Sequence, residues 1–235
     1  MPRLNSRYSK FLSDSAKRPY IITARWSPSG DELKYRNGCA VRSEFAAHLP
    51  YFSSLCPGLP HWPDKAPAYV IRQQDGARGL GVMSWDVLGG AAPWPMTNVR
   101  NLALPQWKAL ASKPDQRCLI PLTEFCEWTP DKHDLGDGKP KLKGEMWFQF
   151  MDQPVFAVAG FWQHTKEGTG FAMVTCDPNA LVAPIHPKAM ITILQAKDHE
   201  KWLTGTLADV VALQRPYDGL SMTLRGPVFP TRSAR

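Results

Sequence analysis

From Ala68 onward the chain is a succession of short apolar runs. They are AYVIR, GLGVMSW, RCLIPL, EFCEWT, MWFQFM, VFAVAGFW, FAMVTC, ITIL and LSMTLRGP, none longer than eight residues. Runs of this length between Gly, Pro and Asp signals read as strands. AYVIR and GLGVMSW flank the turn signal QQDGARG, and MWFQFM and VFAVAGFW read as a hairpin joined at Asp152–Pro154. Helical patterns are few and short: 45–55, LPQWKALAS, DPNALVA with Asp177 as its cap, DHEKWLTG and LADVVALQ. No strand–helix–strand rhythm and no phosphate-cradling glycine motif is present. The pattern therefore predicts an α+β fold with a mostly antiparallel, partly closed sheet and a few short helices.

Of 235 residues, 43% are hydrophobic and 21% charged, enough apolar content for a buried core. Residues 1–38 read differently from the rest. Their basic side chains follow no helical or strand period, and Pro19, Pro28 and Gly30 interrupt them. They form an N-terminal extension, loosely attached, whose piece YIITARW could add an edge strand; residues 39–235 form one domain. No run is apolar and long enough to span a membrane, and the N-terminus lacks a continuous apolar signal core. The five cysteines are widely spaced without a CxxC pair, which argues against a zinc site and for reduced thiols in the cytoplasm. The net charge of +7 favours acidic partners, nucleic acid first.

Three segments carry polar groups in apolar settings: Asn98 and Arg100 in MTNVRNL, Glu127 in RCLIPLTEFCEW, and His186 and Lys188 in LVAPIHPKAM. Each has an ordinary explanation: a turn cap, an ion-paired carboxylate, a loop histidine. Glu127 is the sharpest. A carboxylate among Phe125, Cys126 and Trp128 loses water and costs stability unless it is paired or used.

Together the three segments resemble the SRAP family, the SOS-response-associated peptidases or abasic-site processing proteins. TNVRN is similar to that family's Asn-x-Arg segment, RCLIPLTEFCEW to its Arg-Cys…Glu-Trp segment, and APIHPK to its Ile-His-x-Arg/Lys segment. The resemblance runs from about Cys39 to the C-terminus. It implies a DNA repair enzyme that binds single-stranded DNA at an abasic site and joins it covalently through an N-terminal cysteine. The cysteine α-amine attacks the open sugar aldehyde and the thiol closes a thiazolidine ring, with no metal and no cofactor. An α-amine titrates at about 7.7–8.0, so much of it is neutral at physiological pH, whereas a lysine at about 10.4 is mostly protonated. By the same resemblance Glu127 is the acid/base, His186 assists sugar opening and imine chemistry, and Asn98 orients the amine. Arg100 and Lys188 would hold phosphates. Trp94, Pro95 and Trp85 lie near these residues in sequence, and one of them, Trp94 first, would stack on or wedge beside a base. Trp85 reads as a core tryptophan. The implied molecule is a monomer in the cytoplasm, on the nucleoid after DNA damage.

One departure is serious. Residue 2 is Pro2, and the first cysteine is Cys39, in NGCAVRSEF. An internal cysteine has no free α-amine. Three explanations stand open: residues 1–38 are removed to expose Cys39, the true start differs from Met1, or the chain binds abasic DNA without crosslinking. The first fits Asn37–Gly38, which favours an exposed turn; the same site would then act as a self-processing peptidase. Residue 191, usually Pro in the family, is Ile191. The competing classes are a non-catalytic single-stranded DNA-binding domain and a Cys/His hydrolase using Cys39 or Cys126 with His186. Cys118 and Cys176 read as core thiols.

Overall fold

The computed structural model describes residues 67–229, apart from positions 75, 90, 92–94, 137, 139, 140 and 154, together with a strand at Thr23–Arg25. In chain order the strands are β1 (Thr23–Arg25), β2 (Pro67–Gln74), β3 (Ala77–Ser84), β4 (Asn98–Arg100), β5 (Arg117–Leu122), β6 (Glu124–Trp128), β7 (Glu145–Phe150), β8 (Phe156–Thr165), β9 (Gly168–Cys176), β10 (Met190–Ile191), β11 (Ile193–Leu194) and β12 (Met222–Val228). The helices are α1 (Pro105–Ala111), α2 (His199–Thr204) and α3 (Leu207–Leu213).

Strands β9, β3, β2, β5 and β8 pair in that order, and β8 pairs back onto β9, so the sheet closes into a ring. A smaller sheet, β1-β6-β7-β12, lies apart from it. All pairings are antiparallel except those of β3 and β4 with β9. The fold is thus the expected α+β, sheet-dominated architecture with a partly closed sheet. The YIITARW segment supplies β1, which pairs edge-on with β6 through Thr23↔Cys126 and Arg25↔Glu124.

Two cores follow from strand alternation. On β8, Phe156, Val158 and Trp162 join one apolar cluster, while Ala157, Ala159 and Phe161 join the other. The first cluster lies between ring and small sheet, where Phe125 stacks on Phe148 at 4.9 Å and meets Phe156 edge-on at 6.4 Å. The second lies between ring and helices, built on Trp202, Leu203, Val210 and Leu213. Because both faces of β5 are covered, all six of its residues are buried.

Three local expectations are corrected. MWFQFM and VFAVAGFW do not form a hairpin: β7 pairs with β6 and β12, and β8 with β5, β9 and β11. Their aromatic residues meet face to face across the inter-sheet core instead, Phe150 against Phe156 at 5.0 Å. DPNALVA is a series of turns rather than a helix. The side chain of Asn179, not Asp177, accepts the Leu181 and Val182 amides, and Pro184 supplies no amide to continue a helix. ITIL is split at the buried Thr192. Its first half pairs with β9 and its second with β8, filling the gap where those strands diverge. The predicted helix 45–55 lies outside the described residues.

Arg117 joins the ring to the helical layer. Its side chain is buried and donates to the carbonyls of Ala111, Trp202 and Gly205, at the C-terminal ends of α1 and α2. A guanidinium suits these orphan carbonyls because it offers five donors and a positive charge. Burial pulls its pKa down, offset by Asp209 and Asp115. Replacing Arg117 by Met strands three buried acceptors, each worth about 1–3 kcal/mol. Urea unfolding should show a loss of about 3 kcal/mol or more at unchanged m-value; a loss below about 1 kcal/mol would mean the carbonyls find other donors.

Candidate functional site

A single residue, Thr123, separates β5 in the ring from β6 in the small sheet. The chain turns there, and β6 crosses the inter-sheet core. Alternation then sends Phe125 and Glu127 inward, and Glu124, Cys126 and Trp128 to the opposite face. Glu127 sits opposite Met146, which packs against the inter-sheet core.

The two acids of this strand have different fates. Glu124 is 2% exposed but meets Arg225 at 3.2 Å. Glu127 is also 2% exposed, and its Oε1 has no hydrogen-bond partner among the described residues. Burial pushes the Glu127 carboxyl well above the ordinary carboxylate value of 4.5. The shift favours the protonated form, an acid able to donate a proton.

Asn98 opens β4 in register with Met173 of β9. Its Nδ2 donates to Thr97 Oγ1 at 3.2 Å, while its Oδ1 is buried without a partner among the described residues. An amide oxygen so placed can accept from an incoming N–H. Asn101, which ends the same motif, has φ +58°, the left-handed conformation Asn tolerates better than most residues, and turns the chain toward α1.

Arg100 lies two residues on from Asn98. It pairs with Asp177 at 2.5 Å and also donates to the carbonyl of Lys188. This ties β4 to the loop bearing His186. In that loop His186 Nδ1 is 2.5 Å from the Ala189 carbonyl and 3.2 Å from the Ala189 amide. The carbonyl contact calls for a proton on Nδ1 and the amide contact for a lone pair there; with the proton on Nδ1, the shorter contact, Nε2 is the acceptor nitrogen. The Lys188 side chain is exposed.

The structure therefore brings Asn98, Arg100, Lys188 and the His186 loop together at the end of β9. Glu127 faces the inter-sheet core, to which Ile185, the residue before His186, also packs. Cys39 and Trp94 lie outside the described residues. Trp85 is a core tryptophan as expected, buried and donating to the Thr97 carbonyl at 2.9 Å. Cys118 and Cys176 are buried thiols; burial raises Cys118, and Cys176 is pushed up to about 11. Cys126 is fully buried on the face of β6 turned away from Glu127, which does not suit a nucleophile. The sequence marks Asp177 as a helix cap, and nothing in its setting signals a partner 77 residues upstream.

The raised Glu127 pKa fixes the sign of a stability effect. The folded chain holds this proton more tightly than the unfolded chain, so Glu127 costs stability increasingly as pH rises past 4.5. Glu127→Gln should match wild type in urea midpoint near about pH 4 and exceed it progressively toward about pH 8. A difference that is constant with pH would show that Glu127 ionises normally.

The fold recurs among solved structures. A protein from Bacteroides thetaiotaomicron superposes with TM-score 0.52 at 22% identity, over 69% of this chain and 73% of that one. A protein from Bordetella bronchiseptica gives 0.56 at 20% identity, over 70% and 85%. A phage-related protein of the same organism gives 0.55 at 17% identity, over 74% and 81%. Identities this low establish shared architecture alone. No curated protein matches the sequence. The sequence profile described as SOS response associated peptidase (SRAP) matches residues 40–226, most of the chain and all three polar segments. The chain belongs to the SRAP family.

Proposed function

We propose that the chain captures abasic sites in single-stranded DNA as a covalent adduct of Cys39, after removal of residues 1–38 through the peptidase activity of the same site. The observation that carries this reading is the inward, buried Glu127 carboxyl, whose Oε1 has no partner among the described residues and whose pKa burial raises. The family profile adds support through its match to residues 40–226, which takes in Asn98, Glu127 and His186.

In this reading the neutral α-amine of Cys39 adds to the C1′ aldehyde of the ring-opened sugar. The carbinolamine loses water to give an imine, with Glu127 protonating the departing hydroxyl. The Cys39 thiol then adds across the C=N bond; its proton ends on the ring nitrogen, and no electron is gained or lost overall. Asn98 Oδ1 accepts from the amine and holds its lone pair toward the carbon. His186 Nε2 takes the sugar hydroxyl proton on ring opening. Arg100 and Lys188 hold flanking phosphates, and Trp94 stacks on a neighbouring base. Selection rests on backbone contacts and the aldehyde, so sequence preference is minimal. The working unit is a monomer in the cytoplasm.

A denaturing gel tests this. Protein incubated with single-stranded DNA bearing one abasic site should yield a denaturation-resistant adduct that is absent in Cys39→Ala. Glu127→Gln should slow its formation by about 10²–10⁴-fold, the usual range for a lost general acid. Wild-type rate in Glu127→Gln would remove Glu127 from the chemistry. Salt-sensitive binding without any adduct would make the chain a DNA-binding module instead. Intact-mass spectrometry of the purified protein should show a species beginning at Cys39; a stable full-length chain would contradict processing.

A further inference from the structure

At the end of the ring away from the small sheet, the inward faces of β2, β3 and β8 carry an unusual set of residues. Arg72 pairs in register with Cys118 and with Gly79, so its side chain shares their face. Its guanidinium lies over the Trp162 ring, 4.2 Å from the centroid, and His164 meets the same ring edge-on at 5.3 Å. Trp162 is 7% exposed, and its indole Nε1 is buried with no acceptor among the described residues.

Arg72 also lacks an acceptor among the described residues, and this sets it apart. Arg78 meets Glu200, Arg100 meets Asp177, Arg215 meets Asp198, Arg225 meets Glu124, and Arg117 holds three carbonyls. A half-buried guanidinium and a buried indole N–H are both donors that cost stability while unanswered. Room stands beside them. A Cβ at Gly81 would meet nothing nearer than 4.0 Å, and one at Gly79 only the Gln74 side chain at 3.5 Å.

We infer that this end of the ring is an oxyanion site for a phosphate group, held by the Arg72 guanidinium and the Trp162 indole N–H. Both groups donate and neither accepts, so the complementary ligand is an acceptor, and the cation makes it an anion. Stacking on Trp162 fixes the plane of the Arg72 fork, the arrangement that suits phosphate oxygens. The site and the Asn98–His186 region lie on different stretches of the same ring strand. Along β9, Phe171, opposite Trp162, is two residues from Met173, the register partner of Asn98, about 7 Å at strand rise, and five from Cys176, about 17 Å.

Nitrogen–proton NMR of the full chain tests the site, with the Trp162 indole resonance assigned through Trp162→Phe. Titration with inorganic phosphate should shift that resonance saturably in wild type and leave it unmoved in Arg72→Met. An oligothymidylate without abasic sites separates the two sources of phosphate. If the occupant is a strand phosphate, the oligonucleotide moves the same resonance, and Arg72→Met lowers the slope of log affinity on log salt by about 0.7. If only inorganic phosphate moves it, the occupant is a small phosphate compound. A resonance unmoved by either, or moved equally in Arg72→Met, would overturn the assignment and leave a trapped water as the indole acceptor. The readout is binding, so it stands whether or not the chain forms an adduct.

Discussion

The passage of the chain from ring to small sheet at Thr123 is the constraint on which the rest depends. Strand β5 is covered on both faces and must stay in the ring, while β6, one residue later, faces it across an aromatic core. Phe125 holds that crossing through Phe148 and Phe156. Once Phe125 points inward, the two-residue strand period points Glu127 inward as well. Packing that stabilises the fold thereby carries an acid into low dielectric. The cost of burying it is the same free energy that raises its pKa.

The other polar groups are held by the strands and turns next to them. Asn98 rides on a three-residue strand whose middle residue, Val99, is anchored in the helical core. Arg100 reaches across to Asp177 and the Lys188 carbonyl, so the end of β9 and the His186 loop move with β4. His186 is fixed by Ala189, three residues on in its own loop. Such a site is positioned mainly by strands and short turns, which suits geometry that must be met closely.

Local signals carried much of this into the sequence. Short apolar runs and turn residues identified the strands, and Trp85 was legible as core because it ends a strand-like run. The acid in EFCEW stood out because its neighbours could not solvate it. What failed was pairing across distance. MWFQFM and VFAVAGFW looked like a hairpin because they are adjacent, yet their aromatic residues are worth more stacked between two sheets. Asp177 looked like a cap because its partner, Arg100, is remote in sequence. The separate duties of Glu124 and Glu127 were likewise invisible, since Arg225 lies 101 residues beyond Glu124.

The central claim is that burial holds the Glu127 carboxyl well above the ordinary carboxylate value. Carbon-13 NMR of the side-chain carboxyls, with the Glu127 signal assigned by its loss in Glu127→Gln, measures this directly across a pH titration. The account predicts a midpoint clearly above 4.5 for this residue. A midpoint at or below that value would contradict it.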